Sequence, residues 1–206
     1  MKKLLLSAAA LLVASISFGQ AKWGIVAGPN FSSVTYKNLT LNSGKETSKL
    51  ITNLRAGVTV DIPLADEFFI GTGLLYEGKG GKFKNSDLKL TTSYLQLPIN
   101  FMFKPEVGNG RLVLAAGPYI AYGVGGKFKN TGGNDVNAFD DAAGPLKQKR
   151  FDAGAGINIG YEMPMGLYFG LNTDLGLVNQ MDNTDNGRSL KNTSFGVSIG
   201  YKFSGR

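Results

Sequence analysis

Eight alternating stretches, alternating loop lengths and an N-terminal export signal together predict an all-β fold: an eight-stranded antiparallel up-and-down transmembrane β-barrel. In each stretch one alternate set of residues is apolar and uncharged, while the other is small or polar. Successive side chains of a strand point to opposite faces, so each stretch has one greasy face and one polar face.

Residues 1–20 read as a secretory signal peptide, with the barrel over 21–206. Lys2 and Lys3 form a basic start, Leu4 to Phe18 an apolar run, and Ser17 and Gly19 a small-residue cleavage signal. No Cys follows the run, so a lipoprotein is not expected. The 206-residue chain has no Cys or His and 29 Gly, and removing Lys2 and Lys3 lowers its formal charge from +7 to +5. Zero Cys excludes a disulfide framework. Zero His excludes the commonest general base and metal ligand.

The first strand is predicted over 22–31, with Trp23, Ile25, Ala27, Pro29 and Phe31 on its greasy face. The second covers 53–62 and sets Leu54, Ala56, Val58, Val60 and Ile62 against Arg55, Gly57, Thr59 and Asp61. The third, 68–78, opposes Phe68, Ile70, Thr72, Leu74 and Tyr76 to a set ending in Glu77; the fourth, 94–103, opposes Leu95, Leu97, Ile99, Phe101 and Phe103 to a set containing Gln96, Asn100 and Met102. The fifth, 111–123, carries Leu112, Leu114, Ala116, Pro118, Ile120 and Tyr122. The sixth, 151–162, places Asp152 and Glu162 opposite its apolar set, and the seventh, 167–178, does the same with Asp174. The eighth, 192–203, alternates Phe195, Val197, Ile199, Tyr201 and Phe203 with Ser194, Gly196, Ser198, Gly200 and Lys202.

The connections supply the sign of the two faces. Those after the second, fourth and sixth strands are short (63–67, 104–110, 163–166); those after the first, third, fifth and seventh are long and polar (32–52, 79–93, 124–150, 179–191). Short periplasmic turns and long extracellular loops mark a bacterial outer-membrane barrel, with both termini then expected in the periplasm. About ten residues at ~3.3 Å each, tilted ~40°, project to roughly 25 Å, the height of such a barrel's apolar band. Aromatics on the greasy face gather at its ends: Phe31, Tyr76, Tyr122, Phe151 and Phe195 at one, Trp23, Phe68, Phe103, Tyr161, Phe169, Tyr201 and Phe203 at the other. The greasy face is therefore assigned to lipid. A soluble ligand-binding barrel would turn that face inward.

Inward-facing Arg55, Asp61, Glu77, Asp152, Glu162, Asp174 and Lys202 are expected to form a structural polar network, because a buried charge is tolerable only when paired. Lys79, Lys82, Lys84 and Lys89, with Lys127 and Lys129, predict a basic extracellular rim suited to phosphates of lipopolysaccharide or another anionic partner. The hexapeptide Gly-Gly-Lys-Phe-Lys-Asn occurs at both 80–85 and 125–130, and Ala-Gly-Pro at both 27–29 and 116–118. The run 182–187 opens like a calcium loop, but Thr193 stands where the twelfth-position Glu is needed. No catalytic residue, metal, cofactor or nucleic-acid partner is expected.

Gly-Ile-Val-Ala-Gly-Pro-Asn-Phe at 24–31, Gly-Leu-Leu-Tyr-Glu at 73–77, Tyr-Leu-Gln-Leu-Pro at 94–98 and Ala-Gly-Pro-Tyr at 116–119, behind a leader ending in Phe-Gly-Gln, resemble the PorT-like outer-membrane β-barrel family of Bacteroidetes. The resemblance covers essentially the whole mature chain. It implies an eight-stranded barrel inserted by the barrel-assembly machinery. It carries over no functional residue. One departure is the C-terminus, where Ser204-Gly205-Arg206 follows the aromatic Phe203 that usually ends such chains. The function expected is a non-enzymatic outer-membrane protein with a polar, side-chain-filled lumen and loops that meet lipopolysaccharide or surface partners. An accessory part in a protein-secretion machine and a narrow pore or small-ligand channel stand as alternatives.

Overall fold

The computed structural model describes residues 21–38, 44–84, 87–129 and 135–203; the signal peptide expected over residues 1–20 lies outside them. Among the described residues the chain forms β1 (Lys22–Lys37), β2 (Lys45–Thr47), β3 (Ile51–Ala65), β4 (Phe68–Lys82), β5 (Lys89–Phe103), β6 (Glu106–Val107), β7 (Gly110–Lys129), β8 (Val136–Asn137), β9 (Phe151–Glu162), β10 (Leu167–Gly176) and β11 (Ser189–Lys202). The short β2, β6 and β8 are appendages. The other eight are the predicted strands, joined antiparallel in the order β1-β3-β4-β5-β7-β9-β10-β11. Pairing of β1 with β11, from Gly24↔Lys202 to Lys37↔Ser189, closes the sheet into a barrel.

The greasy sets point outward. Trp23, Leu74, Phe101, Ile157, Leu171 and Val197 are all exposed on the outer wall. Aromatics meet in pairs at both ends of that wall: Phe31 stacks on Phe195 with centroids 5.3 Å apart, and Phe68 on Phe103 at 5.1 Å. Neighbouring strands bring these side chains within contact distance because directly opposed residues share a face.

Several strands run further toward the long-loop end than their apolar sets suggest. β1 continues to Lys37, β4 to Lys82 and β7 to Lys129, while β5 starts at Lys89 and β11 at Ser189. Beyond the aromatic level the alternation persists but its polarity inverts. Val34, Tyr36, Phe83, Leu90, Phe128 and Leu190 now point inward and are buried, while Lys82, Lys89, Lys127 and Lys129 lie on the opposite face. The physical reason is the change of solvent: below this level the outside is apolar, above it the outside is water and the barrel interior is the place to bury hydrocarbon.

The repeated Ala-Gly-Pro has a local role. Proline has no N–H to donate to a ladder, and the ladder is interrupted on one side of each copy: between β1 and β11 at Gly28-Pro29, and between β5 and β7 at Gly117-Pro118. The neighbouring strand closes in at each gap: a Cβ on Gly28 would sit 1.9 Å from the Val197 carbonyl oxygen, and one on Gly117 2.0 Å from that of Ile99. Gly117→Ala should therefore cost about 1–3 kcal/mol, the range for overpacking a tight site. The midpoint of urea unfolding checks it, and an unchanged midpoint would mean that the strands are free to separate there.

Candidate functional site

The lumen is layered. At the short-turn end Lys104 is fully buried; its Nζ donates to Asp61 Oδ2 at 3.0 Å and to the Glu162 carboxylate, and lies 5.1 Å from the Phe69 ring centroid. Lys202 Nζ donates to Asp61 Oδ1 at 2.7 Å and to Thr59 Oγ1 at 3.0 Å. Above this cluster lies an apolar layer that includes Val26, Leu75, Met102, Val113 and Tyr168. The lumen is thus not uniformly polar, in contrast to the sequence expectation. A cavity of about 50 Å³ runs beside that layer between Lys104 and Arg55, room for a few water molecules.

A second polar layer follows. Arg55 pairs with Glu77 and, at 3.3 Å, with Asp174; Gln96 Nε2 donates to Asp174 at 3.0 Å, and Asn30 Nδ2 to Glu77 at 3.0 Å. Lys79 Nζ donates to Gln96 Oε1 at 2.9 Å and to Asp152 Oδ2 at 3.3 Å, and stands 4.3 Å from the Tyr119 ring centroid. Gln180 and Asn192 donate their amides to the remaining reach of Asp152, at 2.9 and 3.2 Å. Each buried carboxylate here therefore has a cation or several donors, which is what burial of charge requires.

The seven inward charges singled out from the sequence fall into these two clusters: Asp61, Glu162 and Lys202 in the lower, Arg55, Glu77, Asp152 and Asp174 in the upper. Two further cations, Lys104 and Lys79, complete these clusters. Lys104 is one alternation step past Met102, on the same face, at the first residue of the predicted 104–110 turn. Lys79 is a correction. The sequence places it on the extracellular rim, but it lies two residues past Glu77 on the inward face and is only 1% exposed. Extending each alternation by one step finds both.

The long-loop end is capped. Val34, Tyr36, Phe83, Leu90, Phe128, Ala138, Met181 and Leu190 form a buried apolar cluster drawn from all four long connections, with Leu88, Ala143 and Leu146 packed against it. Phe83 and Phe128 are the central residues of the repeated hexapeptide, so in each copy the phenylalanine enters this cap. Backbone hydrogen bonds tie the cap together, among them Ser48 N–H to Val34 O at 2.9 Å, Gln148 N–H to Ala138 O at 2.8 Å and Gln180 N–H to Leu190 O at 2.8 Å. The phenylalanines' flanking lysines are exposed: Lys82 at the end of β4 and Lys84 just past it, and Lys127 and Lys129 on β7. Asn85 and Asn130, the last residues of the two hexapeptides, lie outside the described residues. Among the described residues no cluster of three or more His, Cys, Asp or Glu is arranged to hold a metal ion.

A closed barrel with hydrocarbon outside and paired charges inside is an integral β-barrel of the outer membrane type. The family model described as "Outer membrane protein beta-barrel domain" matches residues 13–182, and the chain belongs to that family. No curated protein matches it. Among solved structures it is similar to Ail, the attachment invasion locus protein of Yersinia pestis, at 10% identity over 89% of this chain and 99% of that one, with a TM-score of 0.44. It is also similar to OprG from Pseudomonas aeruginosa, at 11% identity over 87% of this chain and 95% of that one, TM-score 0.45, and to Neisserial surface protein A, at 9% identity over 87% and 97%, TM-score 0.43.

Proposed function

We propose that this outer-membrane barrel is a non-enzymatic, non-conducting protein that works through its capped long-loop end. In this reading that end faces the outside of the cell and both termini face the periplasm. The carrying observation is closure at both ends: the Asp61–Lys104–Glu162 cluster below and the apolar cap above. An ion would have to break paired charges at one end and cross hydrocarbon at the other. The absence of histidine from the sequence removes Ser-His and Asp-His mechanisms, which supports a binding role. The exposed Lys82, Lys84, Lys127 and Lys129 suit anionic groups of lipopolysaccharide. A finer placement among PorT-like barrels rests on the sequence motifs and is part of the proposal, as is insertion by the barrel-assembly machinery.

Planar-bilayer recording of the refolded protein tests the closed lumen. Silent membranes at ordinary potentials are expected, and stable, unitary open steps would overturn the reading.

A further inference from the structure

Four lysines lie side by side across four adjacent chain segments. Lys49 and Lys82 form a hydrogen-bonded bridge, with backbone N–H to O distances of 2.8 and 3.1 Å. Lys82 is in register with Lys89, and Lys89 with Lys129. Directly paired residues project on the same side of a sheet, here the outer side, because Phe83, Leu90 and Phe128 beside them occupy the cap. Lys127, opposite Thr91 one alternation step nearer the barrel body, and Lys84, just past the end of β4, flank the row on opposite sides. Like charges directly opposite one another destabilise a sheet, and this sheet places four in succession.

Little on the protein offsets them. Asp87 lies 3.6 Å from Lys82, and Asp135 lies 3.7 and 3.9 Å from Lys127 and Lys129, all at exposed positions. Glu46 on the neighbouring β2 is engaged by the Tyr36 hydroxyl at 2.8 Å. Among the described residues Lys49, Lys84 and Lys89 form no ion pair, and the segments 39–43, 85–86 and 130–134 contain no Asp or Glu. Six lysines thus meet two carboxylates.

We infer that this row is a docking surface for the anionic core saccharide of lipopolysaccharide packed beside the barrel. The inference rests on the proposed orientation, with the long-loop end outside. Two features select this occupant. The lysines project sideways from the barrel wall, toward neighbouring lipids, whereas a soluble ligand would approach from above the cap. The row also stands six residues past Tyr76 along β4. At ~3.3 Å per residue and ~40° tilt that is about 15 Å above the aromatic level, which matches a saccharide layer over the lipid A phosphates at the interface.

The test uses the full chain refolded into phosphatidylcholine vesicles doped with lipopolysaccharide bearing a phosphorylated core, or with lipid A alone. Association is read by fluorescence transfer from labelled glycolipid. Wild type should favour the core-bearing form by about tenfold, with the preference lost at high salt because screening shortens charge interactions. The quadruple variant Lys49→Gln, Lys82→Gln, Lys89→Gln, Lys129→Gln should lose that preference, yet keep heat-modifiable migration and an unfolding midpoint no lower than wild type, since its like-charge contacts are gone. The control Lys37→Gln, Lys191→Gln should keep the preference. Equal affinity for both glycolipids, or a quadruple variant that retains the preference, overturns the inference. So does tighter binding of the free core oligosaccharide in solution than of the membrane-held form. Failure of wild type to insert into vesicles overturns the membrane reading itself, and with it this one.

Discussion

Replacing Lys104 with methionine should destabilise the barrel by about 3–5 kcal/mol, the range for removing one partner of a buried ion pair. Methionine approximates the length of the lysine stem and can keep the contact with Phe69, so lost packing is not the main effect. What remains is a Glu162 carboxylate without its cation and an Asp61 held by Lys202 alone. The penalty comes from the charge left behind. The double variant Lys104→Met, Glu162→Gln should accordingly recover more than half of the loss, since a neutral amide costs far less to bury than an unpaired carboxylate. Urea unfolding of the refolded proteins in lipid gives both values. A single variant within about 1 kcal/mol of wild type would mean that the cluster is solvated like a surface pair.

The second large effect concerns the outer wall. Leu171 sits mid-strand in β10, is 62% exposed and is flanked across the ladder by Val197 and Ile159. In lipid that exposure is hydrocarbon contact. Leu171→Arg should cost about 2–4 kcal/mol, whereas Leu177→Arg, six positions further toward the long-loop aromatics, should cost about 0–1 kcal/mol. The depth dependence is the informative part. In a barrel surrounded by water both changes would be nearly neutral, so equal and small costs would refute the lipid-facing assignment, while a large difference measures the band directly.

The strands and the meaning of their faces were legible because period-two alternation with an uncharged apolar set is a demanding pattern. Arg55, Asp61, Glu77, Asp152, Glu162, Asp174 and Lys202 could be read as interior from that alternation alone. The pattern misleads at its ends. The outward set ceases to be apolar at Gly78 in β4 and just beyond Phe103 in β5, so alternation alone puts the strand ends there and Lys79 and Lys104 in the connections. The sheet had merely changed solvent or reached a turn. The pairing register of β5 with β7 also slips between Ser93 and Tyr94, which moves the inward set of β7 from Ala121 to Gly126 and Phe128. Strict counting by twos cannot cross that slip. The cap was illegible for a different reason: Val34, Phe83, Phe128 and Leu190 come from four separate connections, and only closure of the barrel brings them together.

That closure has a consequence for how the chain matures. The first strand, β1, finds its second neighbour only in the last, the fourteen-residue Ser189–Lys202. A product that stops before Ser189 would keep seven strands and two raw borders, each a row of unsatisfied N–H and C=O groups that hydrocarbon cannot hydrate. Partial molecules of this kind have no resting place in a bilayer, so the final segment acts as a checkpoint on completeness.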